Sequence, residues 1–267
     1  MPGIIDLTFI QLILSYIFLL LVMVIVKIKK IKLEQSVIIA SLRMTVQLML
    51  VGYILVYVLA NPHPGLTVLI IVIMEAFAVY TVFSRFKNQL SFKLKKIVTI
   101  AFGLGTLICL LFFLLVIVHI SPWYDPRYFI PTAGMFIGNS MTAMSLGVKS
   151  LLENMNLQNN MVEEALILGA TPQTASQNII NTAFDSAIIP TINSMVGMGI
   201  VFLPGMMTGQ ILSGVAPTTA ISYQIAFMLG VLGSIASSSY LMLQWGYKTF
   251  FNTQAQFINS FHQEKAQ

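Results

Sequence analysis

Seven apolar segments, each long enough to cross a bilayer, constrain this chain more than any other feature. A transmembrane helix needs about 20 predominantly apolar residues. Such segments lie at about 4–26, 37–60, 66–84, 97–120, 129–151, 182–203 and 218–245. Charged residues make up 9% of the chain, against roughly 25% in a soluble domain. The sequence predicts an all-α membrane protein, with residues 1–267 forming one transmembrane domain in contact with lipid.

The distribution of lysine and arginine predicts the orientation of the chain. Of the fourteen basic residues, all but Arg43 and Arg127 fall on one side if the chain alternates through seven spans. Lysine and arginine concentrate in cytoplasmic loops. We therefore expect the N-terminus outside and the C-terminus in the cytoplasm of a multi-pass cell-membrane protein. The net charge of +5 then comes from basic residues that form a rim at the cytoplasmic side of the membrane. We expect no nucleic-acid partner.

The sequence lacks the motifs of the common hydrolytic enzymes. A nucleotide-binding phosphate loop contains a Gly-Lys pair, and no such pair occurs in the chain. An HExxH zinc motif is also missing, and the three histidines are dispersed. We therefore expect no enzyme activity, no catalytic residues and no cofactor in this chain.

The largest polar stretch between spans, about 152–181, is predicted to lie in the cytoplasm. It contains the sequence EEALILGATP at 163–172. Glycine is favoured just past a helix end and proline at the first position of a new helix. The pattern predicts a short helix over about 158–168 that stops at Gly169, with a second helix starting at Pro172. Four apolar side chains can seat the short helix on a partner or on the chain's own spans: Met161, Ala165, Leu166 and Leu168.

This decapeptide resembles the EAA loop of ATP-binding-cassette permeases, in which Glu-Ala-Ala is followed by three residues and Gly. Glu164 stands where that family has its first Ala, and the family's Leu-Pro ending is replaced by NIINTAF. In the family the loop is a coupling helix that fits a cleft on the ATPase subunit. The resemblance implies an ATPase-coupling role for Glu163, Glu164, Ala165, Leu168, Gly169, Ala170 and Thr171.

Longer stretches resemble the FetB family of such permeases, which includes bacterial iron-export permeases and plant aluminium-tolerance relatives. They are RMTVQL at 43–48, GNSMTAMSLG at 138–147, FLPGMMTGQILSG at 202–214 and AISYQI at 220–225. The resemblance implies a permease homodimer that exports iron, powered by a separate ATPase subunit that binds ATP and Mg. Two alternatives stay open. One is export of an organic substrate such as a nucleotide sugar, and the other is an ion-coupled carrier that needs no ATPase.

Polar residues inside the spans are the candidates for the translocation pathway, because ionisable groups in a bilayer are costly. Arg43 and Glu75 are predicted at similar depths in neighbouring spans, so they either form an ion pair or line the pathway. Gln47 lies one turn from Arg43 and shares its face. In the fifth span, Asn139, Ser140 and Thr142 either line a cavity or serve helix packing. Gly134, Gly138 and Thr142 recur every four residues, a spacing of small residues that allows two helices to approach closely.

The segment PGMMTGQILSG is too short for a span and rich in glycine. Irregular backbone at membrane depth is tolerated only inside protein or beside a cavity. We expect an outer loop or partly re-entrant gate that starts at Pro204, bends at Gly205 and Gly209, and offers the polar side chains of Thr208 and Gln210.

The sequence does not assign metal ligands. The residues considered are Glu75, Met135 and Met206, but methionine is more often a filler of apolar gaps.

Overall fold

The computed structural model describes residues 8–31, 33–86 and 89–258, and these ranges fold into helices without a β-sheet. The all-α prediction is confirmed. The α-helices are α1 (Phe9–Ser15), α2 (Ile17–Ile28), α3 (Glu34–Ala60), α4 (Pro64–Phe86), α5 (Phe92–Leu111), α6 (Pro126–Leu157), α7 (Asn159–Ile167), α8 (Pro172–Gly197), α9 (Gly205–Leu212) and α10 (Pro217–Gly246). A π-helical segment, Phe112–Ile117, continues α5, and a 3-10 turn, Tyr247–Phe250, follows α10.

Within the described ranges, five helical segments are long and apolar enough to cross a membrane: Phe9–Ile28, Glu34–Ala60, Pro64–Phe86, Phe92–Ile117 and Pro217–Phe250. The chain is therefore a multi-pass membrane protein. The predicted spans at 129–151 and 182–203 correspond to α6 and α8, which are long helices of more polar composition, so the count of seven and the orientation stay predictions. The predicted end at 203 is wrong, because α8 stops at Gly197. The first four residues of the predicted first span lie outside the described residues.

Proline and a capping side chain define where two of the long helices begin. The Asp125 carboxylate accepts a hydrogen bond from the backbone of Arg127 (2.9 Å), with Pro126 at the first turn of α6. Thr171 caps α8 in the same way, with Pro172 next. A side-chain acceptor satisfies a free N–H of the first turn, and proline has no N–H to leave unpaired. These local signals set the register of the two helices that flank α7.

The core lies among α5, α6, α8 and α10, and aromatic side chains fill one part of it. Phe113, Phe136 and Phe227 form a cluster in which the rings of Phe113 and Phe136 lie 5.6 Å apart and those of Phe136 and Phe227 lie 5.5 Å apart. A Cβ at Gly230 would meet the Phe136 ring at 2.7 Å. The glycine therefore lets α10 approach α6 closely at this level.

The first three helices stand apart from this core. In the described part of α1 no residue is buried, and α2 and α3 bury only Val26 and Val58, respectively. A hydrogen bond between the hydroxyls of Tyr16 and Thr45 connects the start of α2 to α3. The apolar surface left exposed is of the kind that lipid or another protein covers in a membrane.

Candidate functional site

The turn between α7 and α8 lies at the end of the helix bundle that carries Lys149 and Lys248, which we call the basic end. Gly169 has φ +93°, a left-handed conformation that costs a residue with a Cβ. The backbone N–H of Ala170 donates to Ala165 O (2.9 Å) and that of Gly169 to Leu166 O (3.0 Å). This pair of bonds is a Schellman motif, which satisfies the last carbonyls of a helix. The predicted helix end and the restart at Pro172 are confirmed within a residue.

Helix α7 is anchored on one face and exposed on the other. Val162 is fully buried, and Leu166 packs against the core. Ile167 and Leu168 are 84% and 88% exposed, and Glu163 and Glu164 are exposed beside them. Together with Met161, these four residues form what we call the α7 outer edge. Sequence reasoning left open whether Met161, Ala165, Leu166 and Leu168 face a partner or the chain's own spans, and it missed Ile167. A helix this short does not show from its pattern which apolar face is buried.

Arg43 and Glu75 do not form an ion pair in the structure. The Arg43 guanidinium lies over the Phe77 ring, 4.9 Å from its centroid. The Glu75 carboxylate accepts a hydrogen bond from the Thr106 hydroxyl of α5, and its second oxygen has no partner. The pairing inferred from equal depth is therefore wrong. Counting residues along a span predicts how deep a side chain lies in the membrane, but it does not predict the direction in which the side chain points around the helix axis. Gln47 is exposed on α3.

Helix α6 separates its three candidate pathway residues. Ser140 is fully buried, and its hydroxyl lies 2.9 Å from the Ser234 hydroxyl of α10. That bond joins two helices and explains Ser140 by packing. Asn139 and Thr142 point away from the core and bond only to backbone carbonyls of their own helix. They belong to one stripe of α6 that runs toward the basic end, half-buried at Leu146 and exposed again at Lys149 and Glu153.

A polar surface on α8 was missed by the sequence analysis. One exposed stripe of this helix is polar at Asn178, Asn181 and Asp185 and apolar at Ile189 and Val196. Because a carboxylate facing lipid is costly, the first half of α8 must border water or protein. The signal in the sequence was a group of Asn and Gln side chains before residue 182. The prediction of spans missed it because that prediction depends only on the length of apolar segments.

The segment predicted as a gate is a turn, a short helix and a second turn. In this region the left-handed glycines are Gly199 (φ +81°), which precedes the predicted segment, and Gly214 (φ +96°) at its end. Gly205 and Gly209 lie inside α9. The predicted bend positions are therefore wrong, although Pro204 does precede the helix as its cap. The Thr208 hydroxyl donates to Pro204 O (3.1 Å), and Gln210 has a buried side-chain oxygen with no partner. The segment is not one continuous helix.

The described residues contain no cluster of three or more His, Cys, Asp or Glu side chains that could hold a metal ion. Met135 and Met206 pack against the hydrophobic core, on α6 and α9. The Glu75 carboxylate accepts a hydrogen bond from the Thr106 hydroxyl.

Residues 9–251 match the uncharacterised protein family UPF0014. The chain belongs to the UPF0014 family. The matched residues include every α-helix described above and the turn between α7 and α8. No solved structure matches the chain.

Individual UPF0014 proteins resemble the chain over most of its length. The UPF0014 membrane protein YjkA of Bacillus subtilis is 34% identical over 93% of this chain and 97% of its own. The probable iron export permease protein FetB of Escherichia coli is 31% identical over 86% of this chain and 87% of its own. The protein ALUMINUM SENSITIVE 3 of Arabidopsis thaliana is 33% identical over 84% of this chain and 80% of its own. The resemblance to the FetB family inferred from the motifs is confirmed.

Proposed function

We propose that this chain is the membrane-spanning permease subunit of an ATP-binding-cassette exporter and that its cargo is iron. The relative from Escherichia coli is named a probable iron export permease, which supports the cargo. The observation that carries the proposal is the α7 outer edge, with Ile167 and Leu168 exposed beside two carboxylates at the basic end.

Lipid is a poor partner for the α7 outer edge. Glu163 and Glu164 are adjacent and exposed, and burying two carboxylates in hydrocarbon would be costly. Exposed apolar side chains rimmed by charge are typical of a protein-binding surface. The partner we propose is the ATPase subunit, which binds ATP and Mg, since this chain has no phosphate-binding loop.

The structure offers a route from α7 into the helix bundle. Val162 and Leu166 anchor α7, and the turn at Gly169 joins it directly to α8. The Ser186 hydroxyl of α8 donates to the Ser150 hydroxyl of α6 (3.2 Å). A force on α7 would therefore reach both flanking helices. Because each chain has a single α7 and the ATPases of this class act in pairs, we propose a permease homodimer with two ATPase subunits.

In this proposal the pathway runs along the part of the α6 stripe that contains Asn139 and Thr142. Asn139 and Thr142 present polar groups in the middle of a long helix, where contact with lipid is unfavourable. A second copy facing this stripe would enclose a polar route between the two chains. In this proposal the segment with Gly199 and Gly214, which follows the end of α8 that is farther from α7, closes that route.

Disrupting the α7 outer edge without disturbing the fold tests the proposal. Leu168→Asp changes a side chain that is 88% exposed, and Phe92→Asp is the matched control, because Phe92 is 83% exposed on α5. We expect the wild type and Phe92→Asp to co-purify with an ATP-binding-cassette ATPase of the same cell, and Leu168→Asp to lose it. ATP-driven iron uptake into inverted vesicles should be lost with it.

Other outcomes separate the remaining functions. ATP-driven transport without iron stimulation would assign an organic cargo to the same machinery. Iron transport that persists in vesicles lacking any ATPase would make the chain an ion-coupled carrier, and Leu168→Asp would then be harmless. Equal loss of the ATPase in Leu168→Asp and Phe92→Asp would reject the α7 outer edge as the specific docking surface.

A further inference from the structure

A cavity at the basic end of the bundle lies between the end of α4 and the stripe of α6. Its volume is about 330 Å³, within the range of small-molecule sites. The lining residues are Arg85, Phe86, Gln89, Ser145, Leu146, Lys149, Leu152 and Glu153. Nothing in the proposed coupling or pathway uses it.

The lining of this cavity divides into an apolar wall and a basic rim. Phe86 and Leu152 are buried and Leu146 is half-buried, so one side is hydrocarbon. Arg85 and Lys149 are exposed on two different helices, and both line the cavity with N–H donors. An apolar wall below two cations suits an amphiphile whose anionic group lies at the rim.

Glu153 is the one acidic residue among the lining residues. Lys149 Nζ lies 3.8 Å from the Glu153 carboxylate, and both side chains are about 60% exposed. Ion pairs this exposed contribute little to stability, so Lys149 can exchange Glu153 for another anion. With Arg85 and Lys149 against Glu153, the rim keeps a net charge of +1.

We propose that this cavity binds a phosphate-bearing anion, the headgroup of an anionic phospholipid, through Arg85 and Lys149. The apolar wall favours a lipid over a free phosphate ester, because the wall would gain nothing from a fully soluble ligand. The inference does not depend on the cargo or on the ATPase. A lipid held here would bridge α4 and α6 beside the proposed pathway.

The test measures phospholipid binding to the full chain in detergent by native mass spectrometry. The probes are dioleoylphosphatidylglycerol and, as neutral comparison, dioleoylphosphatidylcholine. We expect Arg85→Gln and Lys149→Gln each to weaken phosphatidylglycerol binding about fivefold, and the double variant about 25-fold, with phosphatidylcholine unaffected. Lys96→Gln removes one exposed positive charge from the same end outside the cavity and should bind as wild type.

Glu153→Gln adds a variant that removes no packing group, and it should bind phosphatidylglycerol about two to five times more tightly. Competition by glycerol phosphate distinguishes the two sources of the anion. If it displaces the lipid, the site takes soluble phosphate esters; if not, the site is for lipid. The proposal is overturned if the double variant binds phosphatidylglycerol as tightly as wild type, or if Lys96→Gln weakens binding as much as Arg85→Gln.

Discussion

Gly105 of α5 and Ser238 of α10 touch backbone to backbone. A Cβ built on Gly105 would lie 2.6 Å from the Ser238 Cα and from its backbone nitrogen, and real Cβ atoms do not approach backbone so closely. Small residues at such a crossing allow close helix packing in membranes. The contact holds together the two helices that share the most extensive packing in the bundle.

Gly105→Ala should therefore destabilise the protein. The added methyl meets backbone, which cannot rotate away, and overpacking of this kind costs about 1–3 kcal/mol. Gly103→Ala, two residues earlier with open space around its position, should be neutral or slightly stabilising, because alanine is a better helix former. Thermal unfolding in detergent checks both variants. Equal midpoints for the two would contradict the close crossing.

Gly169→Ala should weaken coupling without removing the fold. The position needs φ +93°, and a left-handed conformation costs an L-residue roughly 1–2 kcal/mol. We expect a fraying of the α7–α8 turn and a several-fold drop in transport-coupled ATP hydrolysis, with Gly169→Asn intermediate because Asn tolerates this conformation. Gly52→Ala on α3 is the control, since that glycine has open space and no positive φ. An unchanged ATPase rate in Gly169→Ala would count against the turn's role.

Arg43 and Glu75 should behave as independent sites. Their substitutions to Gln should add within about 0.3–0.5 kcal/mol in unfolding free energy, since the structure gives each a different partner. Glu75→Gln and Thr106→Val should be coupled, because the hydroxyl of Thr106 donates to the carboxylate of Glu75. Double-mutant cycles in detergent measure both pairs. A strong coupling between Arg43 and Glu75 would show that they pair in the membrane.

Asn139→Ala and Thr142→Ala should lower transport while leaving the unfolding midpoint almost unchanged. Both side chains are exposed and bond only to their own helix, so packing loses little. Ser222→Ala is a matched control: it removes an exposed hydroxyl on α10 that makes the same kind of bond to Thr218 O. Vesicle transport assays check the difference. A control that loses as much transport as Asn139→Ala would remove the support for a pathway on α6.

Local signals in the sequence predicted the elements that local forces decide. The stop at Gly169 and the start at Pro172 could be predicted because a helix end depends on neighbouring residues alone. The same holds for the span-length apolar helices, since every backbone group in hydrocarbon must bond within its own helix. The family membership followed from motifs that extend over most of the chain.

Contacts between helices were not readable from the chain. Equal depth suggested that Arg43 pairs with Glu75, but the rotation of α3 and α4 places Arg43 on Phe77 and Glu75 on Thr106. Likewise, Asn139, Ser140 and Thr142 of α6 were equal candidates for the pathway from the sequence, but packing against α10 buries only Ser140.

The sequence by itself determined an all-helical membrane chain with a helix break at Gly169, because apolar length and helix capping are local and cooperative along one segment. Only the tertiary structure decided which side of each helix is buried, that Ile167 and Leu168 stay exposed on α7, and that Arg85 and Lys149 share one cavity. Those outcomes depend on how helices rotate and cross. Crossing is set by the shapes of side chains distant in sequence, such as Gly105 against Ser238.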